Sequence, residues 1–423
     1  MEIRAYPALF VPPSPPPLVV PKVELVLALG RAIELLDSSL GRHQKRVALI
    51  AANLVDGIGL RSTDVSRTVM AALLHGVGAL ARQEHTRNPE VGARFLEISP
   101  LTRDLSPIVA ASRDSFRALK MRLGLTLDNA LIAQALHLAS RIDDAIEPDV
   151  FVLAQAARLR DEALAFARTE LDPRIADAFE RLSHTDSFWL DAADFDIDAR
   201  VRLRLSHMSS VQADLDALQD FGRLYSVLVD SRSPYTATHS WGVAAVANCL
   251  AAWSGFDGET VQQIEIAAQL HDIGKIVVPS DIIEKPAGLS PAEFGTVRGH
   301  AYFTGCLLGT VPGLHRIAEW ARSHHERLDG TGYPMGLAGA RVTSEARVIA
   351  VADQFVALTE DRPYRKGISG QRALEMLSES AERGAIDRQI VAIVRDQFAT
   401  VDAIRRHAQG VERDEIKTIL RAG

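Results

Sequence analysis

His271-Asp272 sets an imidazole nitrogen beside a carboxylate oxygen. Both can ligate one metal ion, the carboxylate can bridge to a second, and the pairing suits Zn, Mn or Fe better than Ca or Mg. The dipeptide alone is common. Its company gives it weight: His239 before it, then His300, the pair His324-His325, and Asp353. Such a set reads as a dimetal site. Two metals about 3.5–4 Å apart can activate a bridging water and clamp the attacking and leaving oxygens of a phosphoryl displacement. Lys275, three residues after Asp272, is placed to neutralise a phosphate oxygen.

Helices must carry these groups. Ser233-Pro234 offers an N-cap with proline at the first helical position, and His239 follows about a turn and a half later. Val243, Val246, Ala247 and Leu250 continue that helix on one face. Asp257 caps the next, which runs to His271-Asp272 and stops at Gly274 and Pro279. Ser290-Pro291-Ala292-Glu293 reads as a capping box ahead of His300. A helix over about Arg316 to Ser323 delivers His324-His325, and Ser344 opens the one that carries Asp353. Ligands drawn from several helices into one interior are how helical bundles build dimetal sites.

The upstream half repeats this text in weakened form. His43 precedes His75 by the same spacing that separates His239 from His271, and Leu74-His75-Gly76-Val77-Gly78 parallels Leu270-His271-Asp272-Ile273-Gly274. A duplicated helical domain is expected, with the first copy stripped of chemistry. Gly76 stands for Asp272 and Ala79 for Lys275. By looser correspondence Arg87 stands for His300, Arg113 and Asp114 for His324 and His325, and Ser140 for Asp353. His43 and His75 are then packing histidines. The fold class is all-α: a proline-rich arm over 1–22, a degenerate helical domain over 23–200 that regulates or dimerises, a linker helix over 201–230, and the catalytic domain over 231–423.

Composition agrees with that frame. Of 423 residues 47% are hydrophobic, enough for substantial cores, and a net charge of −7 argues against a duplex nucleic-acid binder. Cys249 and Cys306 stand singly in apolar surroundings and read as reduced core residues. The longest apolar run, Gly242 to Phe256, is too short to span a bilayer. A cytoplasmic protein with no membrane association is expected.

The strings His271-Asp272-Ile273-Gly274-Lys275, His324-His325-Glu326-Arg327-Leu328-Asp329-Gly330-Thr331-Gly332-Tyr333-Pro334, Val351-Ala352-Asp353 and Asp361-Arg362-Pro363-Tyr364-Arg365 resemble the HD-GYP family. That family is a branch of the HD metal-dependent phosphohydrolases that cleaves cyclic dinucleotides, chiefly cyclic di-GMP. The resemblance spans residues 225 to about 400, and the upstream degenerate domain is similar to the tandem arrangement of some members, including ones acting on 3′,3′-cyclic GMP-AMP. It implies that His239, His271, Asp272, His300, His324, His325 and Asp353 hold two divalent metals, Fe or Mn, with Asp272 bridging. It implies Lys275 on the phosphate, Asp329, Gly330, Gly332 and Pro334 ordering the site, Tyr333 near the substrate, and Arg362 and Arg365 reaching a guanine or phosphate.

Two departures bear on this. Tyr235 stands where some members carry a glutamate for a third metal, so two metals and a linear dinucleotide product are expected. Val356 stands where the family usually has a second aspartate, a change expected to lower activity rather than remove a ligand. Ser233, where aspartate is usual, touches only the helix cap. The expected activity is hydrolysis of cyclic di-GMP to linear pGpG by a metal-bridging hydroxide, with 3′,3′-cyclic GMP-AMP the competing substrate. The alternative of another class is a weakly active cyclic-dinucleotide-binding module that docks on a diguanylate cyclase or an adaptor. A homodimer fits either.

Overall fold

The structure is a computed structural model and describes residues 18–36, 42–80, 88–193, 196–208, 210–230, 238–360 and 366–420. Among the described residues it is helical nearly throughout, with Val20–Pro21 paired antiparallel to Gln212–Ala213 and an isolated bridge between Asp329 and Ala338. No helix among the described residues is long and apolar enough to cross a membrane.

The duplication read from the sequence is present in the packing. Helix His43–Gly57 lies against Ser62–Leu74 and Leu127–Asp144, and helix His239–Trp253 lies against Gly258–Leu270 and Ser344–Thr359 in the same order. The apolar stripe Val243, Val246, Ala247 and Leu250 is wholly buried, as are Val47, Ile50 and Leu54 at the matching place in the first half. Burial of this kind stabilises by roughly 1.5–3 kcal/mol per large aliphatic side chain. It fixes which face of each helix, and so which histidine, turns inward.

The helix starts follow side-chain chemistry. Asp257 accepts from the Thr260 backbone, Ser290 and Glu293 form a complete capping box, and Thr343 caps the helix Ser344–Thr359. Each satisfies backbone donors that a helix leaves open at its first turn.

Three expectations change. The stretch 201–230 is not one linker helix. A helix ends at Arg204, a 3-10 turn and the strand Gln212–Ala213 follow, and a new helix runs Leu215–Asp230. Val20 takes Ala213 as its partner, so the chain there is extended. That second helix packs on Gly258–Leu270 and belongs with the second half. The first helix, Lys22–Leu36, touches both halves, meeting Ser62–Leu74 on one side and Pro291–Gly309 on the other. Cys306 is exposed and Cys249 half-buried, so neither is a full core residue. The proline run of the arm, residues 12–17, lies outside the described residues.

Candidate metal centre

The HD segment is pinned by the helix that carries His300. Thr304 Oγ1 donates to the His271 carbonyl at 2.8 Å and accepts from Gly274 N–H at 3.0 Å. Only glycine fits at 274, because a Cβ there would overlap the His300 carbonyl oxygen and crowd Thr304 N. This close crossing brings His300 Nε2 to 3.3 Å from Asp272 Oδ1.

Three histidines share one orientation device. His271, His300 and His324 place Nδ1 at 2.6, 2.5 and 2.6 Å from the carbonyl oxygens of Ala268, Val297 and Ala321, each three residues earlier. A carbonyl only accepts, so Nδ1 carries the proton and the Nε2 lone pair faces inward. His239 is oriented differently: its Nδ1 lies 2.9 Å from Glu360 Oε1, and its Nε2 lies 3.1 Å from Asp353 Oδ1.

The inward atoms form two clusters. His239, His271 and Asp353 bring one ligand atom each within 4.8 Å of one another, and so do His300, His324 and His325. Asp272 stands between them. Its Oδ2 is 3.2 Å from His271 Nε2 and 3.7 Å from His239 Nε2, while its Oδ1 faces His300. One carboxylate oxygen is therefore turned toward each cluster. Lys275 Nζ rests on Asp272 Oδ2.

The charge states suit metal binding. Burial alone would raise Asp272, but His271 and Lys275 hold it well below the usual carboxylate range. Burial likewise opposes ionisation of Asp353, and the hydrogen bond from His239 together with the charges of His239, His271 and His325 holds it well below the usual range. Burial lowers His300 to about 4 and pushes His324 well down, so these imidazoles are neutral. Anionic carboxylates and neutral imidazoles are what a divalent ion requires. His271 Nε2 and Asp272 Oδ1 are buried with no hydrogen-bond partner. Unsatisfied buried polar atoms cost about 1–3 kcal/mol each, and a cation between the clusters would satisfy both. The donor set fits two divalent ions.

The loop after His325 is held by a residue the sequence reading passed over. Glu326, 3% exposed, accepts from Met335 N–H at 2.6 Å and Leu337 N–H at 2.8 Å. A Cβ at Gly332 would overlap the backbone of His325, Glu326 and Arg327, so the loop folds directly onto the histidine pair. Asp329 closes its start by accepting from Thr331 N–H, and Gly330 takes φ 79°. Pro334 follows Tyr333 through a cis peptide. Tyr333 lies 4.8 Å from the His325 ring at a 40° tilt, with the Arg298 guanidinium 4.9 Å over its own. Arg362, Arg365, Tyr235, Ser233 and Arg87 lie outside the described residues.

Glu360 was also missed. Its signal lay one helical turn from a position already noted, since it follows Val356 by four residues. The first copy is arranged differently: His43 Nδ1 is 2.6 Å from Asp143 Oδ2, the place in the repeat that Val356 holds in the second. His43 Nε2 meets His75 Nε2 at 3.3 Å, and Arg46 takes both oxygens of Asp143. His43, Asp143 and Asp144 could group around an ion, but Asp143 is already committed to Arg46 and His43.

A family model described as an HD domain matches residues 223–390, and a second, also described as an HD domain, matches 40–157. The 3′3′-cGAMP-specific phosphodiesterase 3 of Vibrio cholerae is 34% identical over 266 residues, covering 62% of this chain and 57% of that protein. The 3′3′-cGAMP-specific phosphodiesterase 1 of the same organism is 34% identical over 180 residues, covering 43% and 42%. A cyclic di-GMP phosphodiesterase of Pseudomonas aeruginosa is 38% identical over 156 residues, covering 36% and 37%. The chain spans about half the length of the curated relatives it matches. A crystal structure of a cyclic GMP-AMP-specific phosphodiesterase of V. cholerae shares the fold at TM-score 0.59 and 22% identity, over 90% of this chain and 98% of that one.

Proposed function

The chain carries two HD domains and is homologous to the HD-GYP cyclic-dinucleotide phosphodiesterases; from this we propose that it opens one phosphodiester bond of a cyclic dinucleotide, with 3′,3′-cyclic GMP-AMP as its substrate. The observation that carries the reading is Asp272, set between two buried ligand clusters with one oxygen toward each. The choice of substrate rests on relatives whose names specify 3′3′-cGAMP. Cyclic di-GMP is the second reading, favoured by the relatives named for that substrate.

His239, His271 and Asp353 would hold one divalent ion, His300, His324 and His325 the other, and Asp272 both. When bound, such a pair supplies Lewis acidity to the phosphoryl oxygens and an acidified water. The rest falls to the chain. Water oxygen bonds to phosphorus, the ribose 3′ oxygen leaves and takes a proton, and the product is a linear dinucleotide with a 5′ phosphate. Lys275, now on Asp272, would neutralise a phosphate oxygen of the bound substrate. Tyr333, with Arg298 over its ring, would stand beside the substrate, and Arg362 and Arg365 offer planar forks of donors for guanine or phosphate. Burial of His239, His271, His300 and His324 would shield bound ions from bulk water.

The test pairs elemental analysis with chromatography of both cyclic dinucleotides, using Asp272→Ala as control. About two metals per chain, with turnover lost in the variant and 3′,3′-cyclic GMP-AMP cleaved faster, is the expected result. Faster cleavage of cyclic di-GMP would reverse the substrate assignment. Loaded protein that cleaves neither would overturn the enzymatic reading.

A further inference from the structure

The first HD domain keeps a cavity where the second keeps its ligands. It measures about 540 Å3 and is lined by His75, Arg113, His137, Ser140 and Arg141 among others, within the usual range of about 300–1,000 Å3 for small-molecule sites. His75 matches His271 and is held in the same way, with Nδ1 at 2.5 Å from the Ala72 carbonyl oxygen. The two carboxylates of the second copy have no counterpart here. Ser140 replaces Asp353, and Gly76 replaces Asp272. A side chain at 76 would displace the Gln44 amide, whose Nε2 lies 2.9 Å from where a Cβ would stand.

Cations stand in this space instead. Arg113 occupies the His324 place in the repeat, and Arg141 follows Ser140 directly. Among the described residues neither guanidinium has a carboxylate within salt-bridge distance. The Arg141 guanidinium carbon lies 4.3 Å from the Phe166 ring centroid, a cation–π contact that steadies the side chain beside the cavity. Both arginines line the cavity together with His137, whose pKa is lowered by burial first, against a hydrogen bond to the Asp114 backbone, and further by these two charges. Asp144 and Glu162 also border the cavity, but their side chains are 59% and 57% exposed, and Glu162 is paired with Arg158.

We infer that the cavity of the first HD domain is a metal-independent binding site for a phosphate-bearing ligand of nucleotide size, with Arg113 and Arg141 doing for its phosphate what metal ions do in the second domain. Removing carboxylates and adding arginines turns a site for cations into one for anions. Guanidinium forks match phosphate oxygens two at a time. The ligand is a cyclic dinucleotide or a mononucleotide, both of which carry this chemistry.

The experiment is equilibrium dialysis of the full chain stripped of metal with EDTA, so that turnover plays no part and failure of the hydrolytic reading leaves it intact. The probes are 3′,3′-cyclic GMP-AMP, GMP and inorganic phosphate, each with the parent chain, Arg113→Gln, Arg141→Gln and the double variant. One saturable site per chain, weakened at least tenfold by either substitution and by raised salt, is expected. Which probe binds tightest identifies the source of the phosphate. Both arginines are exposed, and an unchanged circular-dichroism melt checks that the variants fold. Absence of saturable binding for all three probes would overturn the assignment. Binding that survives in the double variant would belong to the second domain and would overturn it equally.

Discussion

Glu360 Oε1, on a residue four positions beyond Val356, lies 2.9 Å behind His239 Nδ1, close enough for charge contact though not aligned as a hydrogen bond. In the first domain Asp143 makes the corresponding contact from the earlier turn. The carboxylate behind the leading histidine has moved one turn along its helix, with the glutamate's extra methylene helping to cover the distance. Glu360 is itself tied to the last helix by Gln409 Nε2, 3.2 Å from its Oε2, and Gln409 in turn to Arg405. Carboxylates behind ligating histidines set ring orientation and basicity, and losing one typically costs about 10–100-fold in metal affinity. Glu360→Ala should weaken binding by that factor, read by competition against a fluorescent chelator. Val356→Asp in the Glu360→Ala background should restore most of it, and failure of that rescue would count against the displaced-carboxylate account.

Gly274 tests how the two clusters are held together. A side chain there meets the backbone of the helix carrying His300, and backbone cannot rotate aside. Gly274→Ala should push that helix away from Asp272. The overpacking should cost about 1–3 kcal/mol, with metal content falling toward one ion per chain. Elemental analysis and a melting curve on the same sample separate the local effect from global unfolding.

Much of the site was legible because metal ligation demands particular residue types, and those types are rare enough to stand out. His239, His271, Asp272, His300, His324, His325 and Asp353 are brought into one interior, and the duplication is seen in the matched ring pairs His43–His75 and His239–His271, at 5.3 and 5.4 Å. What escaped was support rather than ligation. Glu326 and Glu360 look like ordinary surface glutamates on local pattern, and only the tertiary fold shows them buried against backbone amides and an imidazole. The break in the expected linker helix escaped for a related reason. Residues 205–214 carry no strong helix breaker, and pairing with Val20, nearly two hundred residues away, overrides local propensity.

Asp143 gives a pH-dependent prediction in the first domain. Burial opposes its ionisation, but hydrogen bonds from His43 and Arg46 hold its pKa below the ordinary value. A carboxyl depressed in the folded state contributes stability above its unfolded pKa, about 3.9, and loses it as pH falls through the lower folded value. Asp143→Asn removes the negative charge that takes two Arg46 nitrogens, and with Arg46 partly solvated the loss should be about 3 kcal/mol at pH 7. The gap between parent and variant melting temperatures should close as the solution is acidified below about pH 4. A gap unchanged across that range would mean the carboxylate charge contributes nothing.

Glu326 separates substrate positioning from metal binding. Its two oxygens take the amides of Met335 and Leu337, and the segment between Glu326 and those amides carries Tyr333 against His325. Glu326→Ala would strand both N–H groups, a penalty of about 1–3 kcal/mol for each that finds no water, so the loop should loosen at its far end. The histidines are anchored elsewhere: His324 through the Ala321 carbonyl, and Asp353 through its own helix. The variant should therefore keep its metal while KM rises about tenfold, the equivalent of about 1.4 kcal/mol, with kcat changed far less. If metal content fell in step with activity, the loop would be part of the metal framework, and Tyr333 would owe its place to the ions rather than to Glu326.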